Sequence, residues 1–362
     1  MVCVMPPIHL QSSADMTTEQ PLLQIKDLRT HFFTENGIVR AVDGVSFDIP
    51  VGKTLGVLGE SGCGKSVTGY SILQLINAPG RIVGGQILFE RDRNGRKEVV
   101  DLLKYGARGE DIRRIRGNEI AMIFQEPMTS LDPLFTVGDQ LAEAVLVHQK
   151  VSKRSALDRA AELLDKVRLP QARELLTKYP HQLSGGMRQR VMIAMALTGH
   201  PRLLIADEPT TALDVTTEAQ ILELMRSLQE EFGMAILFIT HDLGVIAEMA
   251  ESVVVMYLGK VVEKTDIHTL FADPKHPYTQ ALLESIPKIG HKQGGPLRTI
   301  EGMVPSPFDI PSGCPFHPRC THFMPDVCDA AVPAETPLDE AHTVRCYLYS
   351  QQAEGDAHAN RA

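Results

Sequence analysis

The sequence predicts an α/β fold. Its centre is a mainly parallel sheet covered by helices, preceded by an antiparallel strand region, interrupted by a helical insertion and followed by a small cysteine-rich extension. Three observations carry this. A glycine-rich loop, Gly59-Glu-Ser-Gly-Cys-Gly-Lys-Ser66, lies between a short apolar run and a helical pattern. From Leu203 onward, apolar runs of strand length alternate with helical periods, as in chains of βα units. After Phe271, proline and glycine become frequent and four of the six cysteines appear.

The elements follow in chain order. Residues 1–21 read as a flexible tail; they lack a basic start and a long apolar core, so they are not a secretory signal. Met16 is an alternative start. Leu22 to Pro50 alternates apolar and polar residues, and Asn36-Gly37 and Asp43-Gly44 suit tight turns, so the spacing predicts antiparallel strands. Thr54–Leu58 is a short buried strand, and Ser66–Ile76 the helix after the glycine loop. Residues 139–179 show helical spacing with alternating charge, including Ala160-Ala-Glu-Leu-Leu-Asp-Lys-Val167. They predict a helical subdomain over about 126–186. Met187–Thr198 reads as a helix beginning after two glycines.

Leu203–Ala206 and Ala235–Thr240 then read as strands, Thr217–Glu231 and Leu243–Ala250 as helices. Val253–Tyr257 and Lys260–Glu263 suit a hairpin around Leu258-Gly259. The expected organisation is a main domain over 22–270, an extension over 271–350 and a disordered tail over 351–362.

Composition narrows the function. A formal charge of −9 argues against nonspecific nucleic-acid binding, which needs a basic surface. No apolar run approaches the roughly 18–20 residues that span a bilayer, so a membrane role must come through a partner. Six cysteines without a signal peptide point to a reducing cytosol, where clustered thiols are metal-ligand candidates rather than disulfides.

Gly59-x4-Gly64-Lys65-Ser66 matches the phosphate-loop pattern in full, in the strand–loop–helix context that the pattern requires. The backbone N–H groups of Gly59, Glu60, Ser61, Gly62, Cys63 and Gly64 can turn inward around phosphates, and the helix start adds its positive dipole end. Lys65 suits the β- and γ-phosphates, and Ser66 a Mg²⁺ ion. Asp207 ends an apolar strand, where a carboxylate can hold Mg²⁺ through its water shell.

The order of that loop, then Leu183-Ser-Gly-Gly186, then Asp207-Glu208 resembles the ATPase subunits of ABC transporters over roughly residues 22–270. The resemblance implies the ABC ATPase fold: a RecA-like parallel-sheet core, an antiparallel β subdomain and an inserted helical subdomain. It implies roles too. Glu208 takes the place of the general base, and His241 that of the switch histidine at the γ-phosphate. Gln125 matches the loop that touches both the metal and the transmembrane partner, and Asp214 ends a Pro209-Thr-Thr-Ala-Leu-Asp214 stretch like the D-loop. Ser184, Gly185 and Gly186 match the signature that closes over ATP held by the opposite subunit. Met187 departs from the glutamine usual there. An upstream aromatic usually stacks on adenine, and Phe32 and Phe33 are candidates.

Cys314, Cys320, Cys328 and Cys346 are separated by five, seven and seventeen residues, unlike the Cys-x2-Cys pairs of most structural zinc sites. Four thiolates at irregular spacing in loops suit a [4Fe–4S] cluster, with zinc as the alternative. His276-Pro-Tyr-Thr-Gln-Ala-Leu-Leu283 and Gly313-Cys-Pro-Phe-His-Pro-Arg-Cys320 resemble the C-terminal extension of dipeptide and oligopeptide import ATPases, in their D-type branch. That likeness implies such a cluster, two transmembrane permease subunits and a related second ATPase chain in a heterodimer. An extracytoplasmic binding protein would act indirectly, and the chain would sit peripherally on the cytoplasmic membrane face. Nickel or another small solute is the rival cargo, and a soluble ABC ATPase acting on ribosomes or DNA the more distant alternative.

Overall fold

The computed structural model describes residues 20–93, 95–125, 130–285 and 300–350. The tails expected over 1–21 and 351–362 fall almost wholly outside these residues. Two sheets organise the rest. The first is antiparallel, in the order β2-β1-β4-β5, built from β1 (Leu23–Thr34), β2 (Gly37–Ile49), β4 (Gly80–Arg93) and β5 (Arg96–Asp101). The second has eight strands in the order β11-β12-β10-β9-β3-β8-β7-β6. Its parallel part holds β3 (Thr54–Leu58), β6 (Ile120–Ile123), β7 (Leu203–Asp207), β8 (Ala235–Thr240) and β9 (Ser252–Tyr257).

The parallel strands are apolar over most of their length because both faces are covered. β3, β7 and β8 are buried at every residue. Alternate residues feed two cores. Leu58, Ala206, Phe238 and Val255 face one, and Val57, Ile205, Ile239 and Val254 face the other. Covering helices include α1 (Lys65–Ile72), α2 (Glu110–Ile115), α6 (Gly185–Ala196), α7 (Val215–Phe232) and α8 (Leu243–Met249). Between them lie α3 (Val137–His148), α4 (Lys153–Lys166) and the short α5 (Ala172–Leu175), where helical spacing was expected. In α4 the buried residues Ala156, Ala160, Ala161, Leu163 and Leu164 recur at three- and four-residue intervals, and the Ser152 hydroxyl caps its start.

Two differences from the sequence expectation have clear causes. Asp43-Gly44 makes no turn. β2 runs through it, and the dipeptide sits opposite a register shift between Leu28 and Arg29. Gly44 has φ 83, which a β-bulge uses as readily as a hairpin turn does. Asp43 instead accepts a 2.9 Å bond from Lys260 Nζ, tying the two sheets together. The second difference concerns the extension. After β10 (Lys260–Asp266), α9 (Ile267–Ala272) and α10 (Pro277–Glu284), β12 (Thr343–Val344) pairs with β10, and β11 (Thr336–Pro337) pairs with β12. The cysteine-bearing segment thus continues the edge of the main sheet.

Candidate active site

The predicted phosphate-loop residues, with Asp207, Glu208, Gln125 and His241, converge on the carboxyl ends of the parallel strands, where ligands bind in open α/β sheets. β3 runs directly into the glycine loop, β7 ends on Asp207, β8 is followed by His241, and Gln125 lies two residues past β6. In register, Leu58 pairs with Thr240, Asp207 with Ile239 and Ile123 with Ala206, so these ends line up across the sheet.

The loop's glycines are there for space. Gly64 has φ 102, and a Cβ added to it would lie 2.0 Å from the Ala41 carbonyl oxygen. At Gly59 the same atom would meet the Met256 carbonyl oxygen at 2.3 Å. The chain can curl this tightly only without side chains. Gly64 also leaves the start of α1 without a side-chain cap, and no acidic residue occupies the first turn. Its leading N–H groups and positive dipole end are free to meet an anion. Lys65 is almost wholly buried, and its Nζ donates to the carbonyl oxygens of Gly59 at 2.7 Å and Glu60 at 3.1 Å. The ammonium is therefore held at the mouth of the loop.

Ser66 Oγ donates to Asp207 Oδ1 at 2.8 Å. Asp207 is 0% exposed, and burial pushes its carboxyl up to about 6 despite that bond. The Tyr70 hydroxyl helps to hold its charge, yet Oδ2 has no partner at ordinary hydrogen-bonding geometry. A buried acceptor left open beside a serine hydroxyl suits an oxygen-liganded divalent cation.

Glu208 departs from the strand with φ 46, its N–H bonded to the Ile239 carbonyl at 2.8 Å. Three side chains hold the carboxylate. Gln125 Nε2 donates to Oε2 at 3.1 Å, Thr211 Oγ1 donates to Oε2 at 2.9 Å, and His241 Nδ1 lies 2.9 Å from Oε1. Burial alone would raise this carboxyl, but the His241 and Thr211 bonds outweigh it and leave it below its ordinary value. The sequence predicted Glu208, Gln125 and His241 separately; Thr211 it did not single out.

The signature residues stand apart. Ser184 caps α6, its Oγ accepting from Met187 N at 3.3 Å, and both Ser184 and Gly185 are exposed. Asp214 caps α7, accepting from Thr217 N at 3.0 Å and Thr217 Oγ1 at 2.7 Å. Among the described residues, no hydrogen bond recorded in the structure joins Ser184, Gly185, Gly186 or Asp214 to the phosphate loop.

Residues 42–211 match the ABC transporter family, and residues 262–328 match the family described as oligopeptide/dipeptide transporter, C-terminal region. The oligopeptide transport ATP-binding protein AppD of Bacillus subtilis (strain 168) is 48% identical over 331 residues, 91% of this chain and 98% of its own length. This chain belongs to the ABC transporter family. Also in Bacillus subtilis (strain 168), the dipeptide transport ATP-binding protein DppD is 47% identical over 336 residues, 92% of this chain and 97% of its own. Among solved structures, the dimeric post-hydrolysis state of the ATP-binding cassette MJ0796, bound to ADP and Pi, superposes with a TM-score of 0.58. It is 26% identical and covers 68% of this chain and 98% of that one. The ABC ATPase fold expected from the motifs is the fold observed.

The extension differs from its expectation in one respect. Cys314, Cys320, Cys328 and Cys346 all line one narrow cavity, with His276 and His317 in its wall. Burial raises the Cys314 thiol to about 11 and that of Cys346 to about 12. Yet no group of three or more His, Cys, Asp or Glu among the described residues is arranged to hold a metal ion. The thiols converge without forming a ready-made metal site.

The extension also reaches the phosphate loop, which no motif foreshadows. Arg319 Nη1 and Nη2 grip the Glu60 carboxylate at 2.8 and 3.2 Å, and the Tyr278 hydroxyl accepts from Glu60 N at 2.9 Å. Phe33, one of two aromatics considered for adenine, lies under the Arg81 guanidinium, 5.8 Å from its ring centre.

Proposed function

We propose that this chain is the ATP-hydrolysing, energy-coupling subunit of an importer for dipeptides or oligopeptides. One observation carries the catalytic part. The Glu208 carboxylate is held by three side chains one residue past buried Asp207, which is itself bonded to Ser66 of the phosphate loop. The import part is supported by the match of residues 262–328 and by the names of the relatives.

In this reading the loop N–H groups, the α1 start and Lys65 bind the triphosphate of ATP. Ser66, Asp207 and Gln125 are the residues that would hold the accompanying Mg²⁺, which when bound would supply charge neutralisation for the phosphate oxygens. Glu208 takes a proton from the attacking water, as its depressed pKa keeps it ionised at neutral pH. His241 and Gln125 orient it. Ser184, Gly185, Gly186 and Asp214 act on nucleotide bound by a second, related ATPase chain, which fits the exposure of Ser184, Gly185 and Asp214. Two permease subunits receive the motion, and an extracytoplasmic binding protein delivers the peptide. In the same reading the chain joins the complex peripherally, at the cytoplasmic face, as the ATPase subunit of an importer; no described helix is long and apolar enough to cross a membrane.

The four late cysteines are read as ligands of a [4Fe–4S] cluster, with zinc as the alternative. Their shared cavity supports this. So does His276 Nε2, a buried nitrogen without a partner in that cavity's wall. Iron analysis of anaerobically purified protein beside Cys320→Ser decides between the two metals. Vesicles carrying the complete complex test the main reading. ATP-dependent uptake of labelled dipeptide, lost with Glu208→Gln, supports it. ATP-dependent uptake of nickel but not peptide rejects it.

A further inference from the structure

The C-terminal extension reaches into the nucleotide site at Glu60. This is the second residue of the phosphate loop, and its own carbonyl oxygen lies 3.1 Å from Lys65 Nζ. A carboxylate in a loop built to receive a triphosphate is a like charge in the wrong place. Its charge is felt at the Cys63 thiol in the middle of the loop. Arg319 answers it with a two-pronged ion pair at 2.8 and 3.2 Å, and the Arg319 side chain is only 4% exposed. Bidentate guanidinium–carboxylate pairing fixes direction as well as charge.

The grip is built into the core. Arg319 stands over the rings of Tyr257, at the end of β9, and Phe316, 6.0 Å from each centroid. Tyr257, Tyr278 and Phe316 pack together with centroids 4.7 to 5.3 Å apart. Tyr278, on α10, takes the Glu60 N–H, so the extension holds both the main chain and the side chain of this one residue. Arg319 is flanked by Cys320, and Phe316 lies two residues from Cys314, so the thiol cavity and the phosphate loop share this wall.

We propose that Arg319 is a positioning residue for ATP binding: it neutralises Glu60 and keeps the carboxylate turned away from the incoming phosphates. This rests on reading the loop as an ATP site. It adds that the extension, which the ABC transporter match over residues 42–211 does not include, completes that site.

The test is Mg-ATP binding to the full chain, measured by titration calorimetry at low and high salt. Wild type comes first; failure to bind ATP rejects the ATP-site reading itself and the proposal with it. If wild type binds, Arg319→Gln should weaken binding about tenfold at low salt, and less at high salt, because an unpaired Glu60 charge then faces the phosphates. Glu60→Gln should bind at least as well as wild type. The double variant Glu60→Gln/Arg319→Gln should return to within about threefold of wild type, since the offending charge is gone. A purely structural role for Arg319 leaves the double variant as weak as Arg319→Gln. That outcome, or wild-type affinity in Arg319→Gln, overturns the proposal. Should Arg319→Gln fail to fold, Arg319→Lys keeps the charge and loses the two-pronged geometry. Near wild-type affinity there, or a loss that the double variant Glu60→Gln/Arg319→Lys restores, supports the proposal; a loss that persists in that double variant overturns it.

Discussion

His241 Nδ1 lies 2.9 Å from Glu208 Oε1, and this contact holds an ionised carboxylate at the end of a buried strand. The environment of Glu208 by itself disfavours charge; His241 and Thr211 reverse that. Glu208→Gln keeps the shape and loses the basicity. Turnover should fall by roughly 10²–10⁴, the usual worth of a positioned base. Mg-ATP affinity should stay within a few-fold. Single-turnover kinetics beside equilibrium binding checks both, and turnover at the wild-type rate removes Glu208 from the role.

Asp207 predicts a pH dependence of the opposite kind. Its carboxyl is raised from an ordinary 3.8 to about 6. A raised carboxyl stabilises the empty fold fully below the ordinary value, and that stability is lost as pH rises through about 6. At pH 7 the empty protein therefore carries a buried, incompletely satisfied charge. Asp207→Asn should raise the melting temperature of the metal-free protein at pH 7 by a few degrees while weakening Mg²⁺-dependent nucleotide binding. In wild type, Mg²⁺ affinity should fall as pH drops through about 6. A lower melting temperature for Asp207→Asn at pH 7 contradicts this account.

Gly64→Ala tests the loop's geometry alone. The added methyl would stand 2.0 Å from the Ala41 carbonyl oxygen, in backbone of φ 102. Both strain and overlap act, so a loss of more than about 2 kcal/mol in chemical denaturation is expected, with nucleotide binding abolished.

Much of this site was legible because its chemistry is local in sequence. Eight consecutive residues make the phosphate loop, and Asp207 and Glu208 are adjacent at a strand end. Apolar runs such as Ala235–Thr240 announced buried strands, since both faces of a parallel sheet are covered. What escaped is long-range or degenerate. Arg319 and Glu60 are 259 residues apart, and nothing in either neighbourhood points to the other. Asp43-Gly44 satisfies a bulge and a turn equally well, and only pairing decides. The alternation over Leu22–Pro50 does not reveal β4 and β5, which complete the same sheet 30 residues and more downstream.

Cys63 illustrates a further limit. Its place in the phosphate loop suggests that alkylation would block ATP binding. The thiol is in fact 3% exposed, and burial raises its pKa despite the nearby Lys65. Thiolate is the reactive form. Iodoacetamide should therefore modify Cys63 far more slowly than a free thiol, with or without nucleotide, and readily only after denaturation. Mass mapping over time reads this; rapid nucleotide-sensitive labelling of the folded chain would show a loop that opens.

The extension itself should loosen in acid. His276 is fully enclosed and burial depresses it to about 4, from an ordinary 6.5. A depressed histidine contributes stability that is present above its ordinary value and lost as pH falls towards its folded one. Glu263 acts in the same direction at lower pH. Burial opposes its charge, but bonds from His342, Lys275 N and His276 N keep its carboxyl below the ordinary 4.5. The docking of α10 should therefore weaken between about pH 6.5 and 4. Tyr278 lies two residues beyond His276, and its hydroxyl holds the Glu60 N–H, so the weakening should reach the phosphate loop. Hydrogen exchange, corrected for intrinsic rates, should show the amides of α10 and Glu60 losing protection together at pH 5 relative to pH 7.5. The strands β7 and β8 should stay protected. If Glu60 keeps its protection while α10 loses it, the Tyr278 contact does not transmit the change.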